Sequence, residues 1–324
     1  MGKVDTVTKA YMRKNEVFAD AFNYLIYGGR MCIDPAQLQE VDTTEIVLPF
    51  GSQDENGNRG EDAVQKYRDI LKSAVVKQED EAAYILLGIE NQTDIHYAMP
   101  VRNMIYDALQ YGRQVADIAT KHRKSGDNSK GHTKGEYLSG FYKEDRLKPV
   151  ITLLVHFGAD EWNAPLSLHE MMEVKNKELL DFVQDYQIHL IDPAKLTDND
   201  LMKFSSSLRE ILECIKYSKD KEKFASFLKN NPRMVFDREA ALVFKAITNT
   251  PIDIPEGLEE IDVCKAVEEM ILESTEKGIG IGEMRMLVKQ VRKGRLTVEE
   301  AAEDAGMTVE KFKEAMENIP SQAV

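Results

Sequence analysis

The sequence predicts an α/β fold, in which a mixed sheet is flanked by helices and followed by an all-helical C-terminal region. Two β-rich runs, residues 67–77 and 82–90, are separated by a short acidic connector, as in a hairpin. A third apolar run, residues 150–157, follows a helical pattern and a long connection, which favours a parallel crossover. We therefore predict one domain over residues 1–190 and a helical region over residues 191–324.

Around these strands, periodicity and glycine positions predict the remaining elements of the first domain. Residues 6–27 have apolar side chains at helical spacing, and Gly28-Gly29 is expected to end this helix. Residues 98–122 form the next predicted helix. The segment 126–141 is rich in glycine and lysine, which is typical of a mobile loop.

The C-terminal region shows only helical spacing. The glycine-rich stretch at residues 278–282 lacks the P-loop lysine, so we interpret it as a hinge or turn. Four helices are predicted before it, at residues 201–217, 221–228, 238–248 and 261–276.

A two-helix unit with helix-turn-helix-like spacing ends the chain. Thr297 and Glu300 form a capping box, Gly306 makes the turn, and Thr308 begins the second helix. In DNA-binding proteins such a second helix enters the major groove. Here that helix carries three glutamates against two lysines, so a protein-contact or core-capping role is the alternative to DNA contact.

Composition limits the classes of partner. The chain has 324 residues, with 56 acids against 42 bases and a net charge of −14, so any DNA contact needs a local basic surface. No run approaches the ~20 apolar residues of a membrane span, and residues 1–18 lack the apolar core of a signal peptide. We therefore expect a cytoplasmic protein without membrane contact. The oligomeric state stays open, a homo-oligomer included.

Acidic residues lie where the two predicted hairpin strands meet. Asp69 opens the first run, and Glu90 and Gln92 close the second. Pairing of the runs would bring both carboxylates to one point at the sheet edge, and oxygen ligands of this kind suit Mg²⁺ or Mn²⁺. Asn91 should point to the opposite face of its strand. The alternative is that these side chains are merely solvated strand ends.

The order of the motifs around this pair resembles one family. The motif IExQ is followed by MPxRxxxYxxxxY and by PVITLL with a later SLHE, and this order is similar to the recombination-promoting nucleases, also described as PD-(D/E)XK nuclease family transposases. The resemblance covers about residues 10–190 and continues more loosely to the C-terminus. It implies a PD-(D/E)XK-like sheet and a metal-dependent DNA endonuclease, a phosphodiester hydrolase linked to recombination or mobile elements.

The same resemblance assigns roles to individual residues. Asp69 and Glu90 would bind Mg²⁺ or Mn²⁺, and Gln92 would orient the attacking water or the scissile phosphate, where the motif more often has lysine. Glu16 would be a first-helix acid that completes the metal site; alternatively it belongs to the polar face of its helix.

Substrate contacts are expected from two places. Arg102 and Tyr106 share a helix face and would clamp a phosphate, or else cap the sheet. The segment 112–148 is the most basic part of the chain and includes Lys121, Arg123 and Lys124, which would contact DNA or serve only solubility. A catalytically weak or inactive scaffold that binds DNA or protein is the alternative to the nuclease.

Overall fold

The computed structural model describes residues 3–41, 44–46, 65–67, 69–78, 81–125, 133–229 and 231–319. Its strands are β1 (Gln39–Glu40), β2 (Thr44–Ile46), β3 (Gln65–Tyr67), β4 (Ile70–Gln78), β5 (Glu81–Gln92), β6 (Val150–His156), β7 (His189–Ile191), β8 (Val235–Phe236) and β9 (Ile261–Asp262). Its helices are α1 (Lys3–Met12), α2 (Asn15–Tyr27), α3 (Met99–Ser125), α4 (Lys134–Ser139), α5 (Lys177–Leu180), α6 (Asp198–Leu201), α7 (Leu208–Tyr217), α8 (Lys221–Leu228), α9 (Arg238–Thr248), α10 (Val263–Arg292), α11 (Val298–Asp304) and α12 (Val309–Asn318).

A mixed sheet with strand order β1-β4-β5-β6-β7 forms the centre of the first part. The predicted hairpin is confirmed, since β4 and β5 pair antiparallel with Ile70 opposite Ile89. The predicted parallel crossover is also confirmed, because β6 lies parallel to β5, and β7 parallel to β6. Strand β6 is apolar and buried along almost its whole length, as expected for a central strand covered on both faces.

Helices cover the two faces of this sheet near its centre. On one face α3 packs against β6, and Met99 joins Leu154 and Trp162 in a buried apolar cluster. Helix α1 packs against β5 and α9. Because Glu90 is paired in register with Leu154, it shares the α3 face, whereas Asn91 alternates to the other face, as predicted.

The single helix predicted over residues 6–27 is wrong, because the structure forms two helices, α1 and α2. Lys72 of β4 is buried, and its ammonium donates hydrogen bonds to the main-chain carbonyl of Arg13 and to the side chain of Asn15. Lys14 is extended and begins α2. Burial lowers the pKa of Lys72, and these bonds are made at the chain break between the helices. Gly28, at φ 63°, ends α2 as predicted.

The helices after residue 190 belong to the same compact unit as the sheet. That unit comprises residues 1–250 and 254–261, so the compact units do not divide at residue 190. Asp20 of α2 is one reason, since its buried carboxylate accepts hydrogen bonds from the main-chain N–H groups of Ser205 and Ser206. The same contact replaces the continuous helix predicted over residues 201–217 by α6 and α7.

The second compact unit comprises residues 251–253 and 262–324. The hinge predicted at residues 278–282 is wrong, because α10 runs through this stretch without interruption. Glycine weakens a helix by about 1 kcal/mol relative to alanine but does not by itself break it. The predicted two-helix unit is present, with its Thr297–Glu300 capping box, and Phe312 lies fully buried against Val288.

Candidate active site

Asp69 and Glu90 lie side by side where β4 begins and β5 ends. The hairpin register places them together, one position beyond the Ile70–Ile89 pair. The main-chain N–H of Asn91 donates to Asp69 Oδ2 at 2.9 Å, and the main-chain N–H of Asp69 approaches Glu90 Oε1 at 3.4 Å. The two carboxylates are therefore fixed by the backbone of the partner strand, and the predicted convergence of the two acids is present in the geometry.

Glu90 is fully buried and forms an ion pair with Arg102 of α3. Arg102 Nη2 lies 3.1 Å from Glu90 Oε2, although this contact is not aligned as a hydrogen bond. Arg102 Nε also donates to the Tyr106 hydroxyl at 3.2 Å. Burial alone would lower the pKa of Arg102, but Glu90 and Tyr106 outweigh it, so the pKa is raised. Arg102 is therefore committed to neutralising Glu90.

A buried polar network holds α3 in place on the sheet. The Asp107 carboxylate accepts hydrogen bonds of 2.6 Å from Thr152 of β6 and of 2.6 Å from Tyr186. Asp107 lies one residue beyond Tyr106 on the same helix. This network fixes the rotation of α3, and with it the direction in which Arg102 and Tyr106 reach toward Glu90.

A second cation reaches the acid pair from α1. Lys9 Nζ lies 3.5 Å from Asp69 Oδ1. One turn earlier, Asp5 accepts a 3.0 Å hydrogen bond from Thr93, which follows β5 directly. Sequence reasoning missed both residues, because nothing in the local pattern shows that α1 lies against the end of β5. The available signal was only that Asp5 and Lys9 share a helix face.

The other predicted ligands lie less directly at the acid pair. Gln92 ends β5 with its side chain partly exposed, and its main-chain carbonyl accepts from the Phe157 N–H at 2.7 Å. Glu16 is partly exposed in the first turn of α2, whereas the helix that contacts Asp69 is α1. Glu16 acts electrostatically on Lys72. The geometry thus offers Asp69 and Glu90 as a pair of acids.

The residues fit a hard cation as a carboxylate pair. Within the described ranges, no group of three or more His, Cys, Asp or Glu residues could hold a metal ion. Mg²⁺, however, is often bound by one or two carboxylates and keeps several waters. Glu90 Oε2 is buried and has no hydrogen-bond donor aligned on it, so this oxygen retains a lone pair for a ligand. Such a cation would share the site with Lys9 and Arg102.

The predicted basic segment is divided between the end of α3 and residues beyond it. Three of its bases lie on the last two turns of α3, where their side chains are exposed or partly exposed: Lys121, Arg123 and Lys124. The predicted loop at 126–141 is wrong in part, because Lys134–Ser139 form α4 behind a capping box of Thr133 and Glu136. Residues 126–132, which include Lys130, lie outside the described residues.

Comparison with known families identifies the type of protein. Residues 60–240, more than half of the chain, match the family model described as "Putative transposase, YhgA-like". The chain belongs to this family. It is a family of the PD-(D/E)XK transposase and nuclease type, so the resemblance found in the sequence is confirmed. No curated protein and no solved structure gives a significant match.

The matched region contains the acid pair and its α3 partners. Asp69, Glu90, Gln92, Arg102 and Tyr106 all lie within residues 60–240, whereas α1, α2 and the C-terminal two-helix unit lie outside this match. Among the helices that the structure describes, none combines the length and apolar character needed to cross a membrane.

Proposed function

We propose that this protein is a metal-dependent DNA endonuclease that acts in recombination or in the movement of mobile elements. The observation that carries the proposal is the Asp69–Glu90 pair, held at adjoining strand ends by main-chain contacts of 2.9 and 3.4 Å. Membership of a transposase family supports DNA as the substrate.

The side chains around the pair suit phosphodiester hydrolysis. Asp69 and Glu90 would hold Mg²⁺ or Mn²⁺, which when bound lowers the pKa of a water ligand and offsets charge on the phosphate. Arg102 keeps Glu90 in its charged form by pairing with it at 3.1 Å. Gln92, two residues along the strand, both donates and accepts hydrogen bonds and can orient water or a phosphate oxygen. Hydrolysis joins the water oxygen to phosphorus, breaks one bridging P–O bond and releases the water proton to solvent.

Plasmid nicking tests the proposal. We expect the purified protein to nick supercoiled DNA with Mg²⁺ or Mn²⁺ and not with EDTA. Asp69→Asn and Glu90→Gln should each lower the rate more than tenfold, because a metal contributes several kcal/mol of charge stabilisation and about 1.4 kcal/mol is tenfold. Asp94→Asn, a partly exposed acid just beyond the strand end, is the matched control and should cleave at the wild-type rate. Full cleavage by both site variants, or cleavage in EDTA, would refute the assignment.

A second candidate is a scaffold that binds DNA or a partner protein without efficient cleavage. It is favoured by one observation: both carboxylates already have a cationic neighbour, Lys9 or Arg102, while Gln92 is uncharged. A scaffold would bind duplex DNA in the same buffers but leave plasmid intact at any metal concentration. Calorimetric titration with Mn²⁺ separates the two proposals further, since an intact nuclease site binds the ion and loses this binding in Asp69→Asn.

A further inference from the structure

We propose that Lys9 supplies the positive charge that Gln92 cannot provide at this site. The inference rests on the proposed nuclease function and adds a residue from outside the region matched by the family. In this assignment the ammonium of Lys9 faces both Asp69 and the scissile phosphate, and it offsets the negative charge that develops on the phosphate oxygens during hydrolysis.

The position of Lys9 is fixed by contacts on both sides of it along α1. Asp5 is bonded to Thr93 at 3.0 Å, and the Tyr11 hydroxyl lies 2.8 Å from the Ser207 hydroxyl. Tyr11 is fully buried, so α1 is anchored at its C-terminal half as well as near its start. The Lys9 side chain is only 24% exposed. A lysine anchored in this way is preorganised toward the acid pair instead of sampling solvent.

The length of the ion pair leaves Lys9 able to contact substrate. Charge-assisted N–H···O bonds measure about 2.7–2.9 Å, whereas Lys9 Nζ and Asp69 Oδ1 are 3.5 Å apart. An ammonium has three N–H donors and no acceptor, so this contact leaves donors for a phosphate oxygen. Arg102 is less suited to this task, because it is engaged with Glu90 and with the Tyr106 hydroxyl.

Asn91 provides a second, independent observation on the same side of β5. Asn91 and Thr93 alternate with Glu90 and Gln92, so both lie toward α1, where Thr93 bonds Asp5. The Asn91 side chain is 6% exposed, and neither its oxygen nor its nitrogen has a hydrogen-bond partner among the described residues. A buried amide in this state is suited to a water or a phosphate oxygen held beside Lys9.

A set of charge variants tests the assignment. We expect Lys9→Met to lower the turnover number for Mg²⁺-dependent nicking by roughly 10- to 100-fold, as the loss of one charge-stabilising group would, with Lys9→Arg retaining most of it. The decisive variant combines Lys9→Met with Gln92→Lys, which returns a positive charge to the strand position. This double variant should recover at least tenfold over Lys9→Met. Lys195→Met is the matched control, because it also breaks a lysine–carboxylate ion pair, with Glu161, and it should cleave like wild type.

Binding of Mn²⁺ by calorimetry distinguishes charge supply from a structural role. Lys9→Met should bind the ion at least as tightly as wild type, since a competing cation has been removed, while turnover falls. Loss of ion binding in Lys9→Met, or failure of Gln92→Lys to restore any activity to it, would overturn the proposal.

Failure of the nuclease function gives a different pattern. In that case neither wild type nor Gln92→Lys cleaves DNA, and both proposals fall together. If only Gln92→Lys cleaves, the chemistry is sound but Lys9 does not supply the charge, and the Lys9 assignment alone is overturned.

Discussion

Replacing Arg102 with methionine should destabilise the fold by leaving a buried carboxylate without its cation. Glu90 is 0% exposed, and Arg102 Nη2 lies 3.1 Å from it. Removing one partner of a buried pair costs about 3–5 kcal/mol. Because the Arg102 side chain is itself 29% exposed, water can reach that side of the pair, and we expect a loss near the lower limit. Urea unfolding followed by circular dichroism at pH 8 measures this loss.

Two comparisons make the interpretation specific. Adding Glu90→Gln to Arg102→Met removes the orphaned charge and should recover at least half of the lost stability. Acidification should also reduce the loss in Arg102→Met, because protonation of Glu90 removes the same charge. Arg13→Met is the control: its ion pair with Glu40 has the same 3.1 Å length but joins side chains that are 51% and 55% exposed, so we expect under ~1 kcal/mol. A loss in Arg102→Met no larger than in Arg13→Met, or no recovery in the double variant, would refute the reasoning.

Two further predictions concern acid stability and DNA contact. The hydrogen bond from Lys203 is the largest of several interactions that lower the pKa of Asp200 to about 2; its stabilising contribution is present above the unfolded value of about 3.9 and is lost as pH falls through about 2, so Asp200→Asn should unfold with a flatter pH dependence between these values. Urea midpoints measured at pH 4 and pH 2 check this, and equal slopes for both proteins would contradict it. For DNA, fluorescence anisotropy at several salt concentrations should show the log–log salt slope flattening by roughly one unit for every phosphate that is no longer neutralised, while deletion of residues 295–324 changes affinity little. The reverse result would make the C-terminal pair the DNA-binding element. The bases to neutralise together are Lys121, Arg123 and Lys124.

The sheet could be predicted because its strands are encoded by local apolar runs. Residues 84–89 and 150–157 are continuous apolar stretches, and their pairing direction follows from what connects them. The acid pair followed from the same hairpin, since Asp69 and Glu90 lie at its open end. In each case the information lies within a short segment of chain.

The elements that were missed depend on contacts between distant segments. The break between α1 and α2 is marked by hydrogen bonds from Lys72, some sixty residues away, which helical periodicity in residues 6–27 cannot reveal. Lys9 was missed for the same reason, because its partner Asp69 lies on a different element. Helix α4 is different: its Thr133–Glu136 capping box was readable in the sequence, but the surrounding glycines and lysines favoured a loop.

The anchoring of α1 has a consequence for how the site can be dissected. The two acids are brought together by one hairpin of short contact order, but Lys9 depends on Tyr11, whose hydroxyl meets Ser207 across 196 residues of chain. Excision of the family-matched residues 60–240 would keep both carboxylates and Arg102 but remove α1 altogether. Such a fragment would concentrate negative charge at its sheet edge, and its behaviour toward metal ions would not represent that of the whole protein.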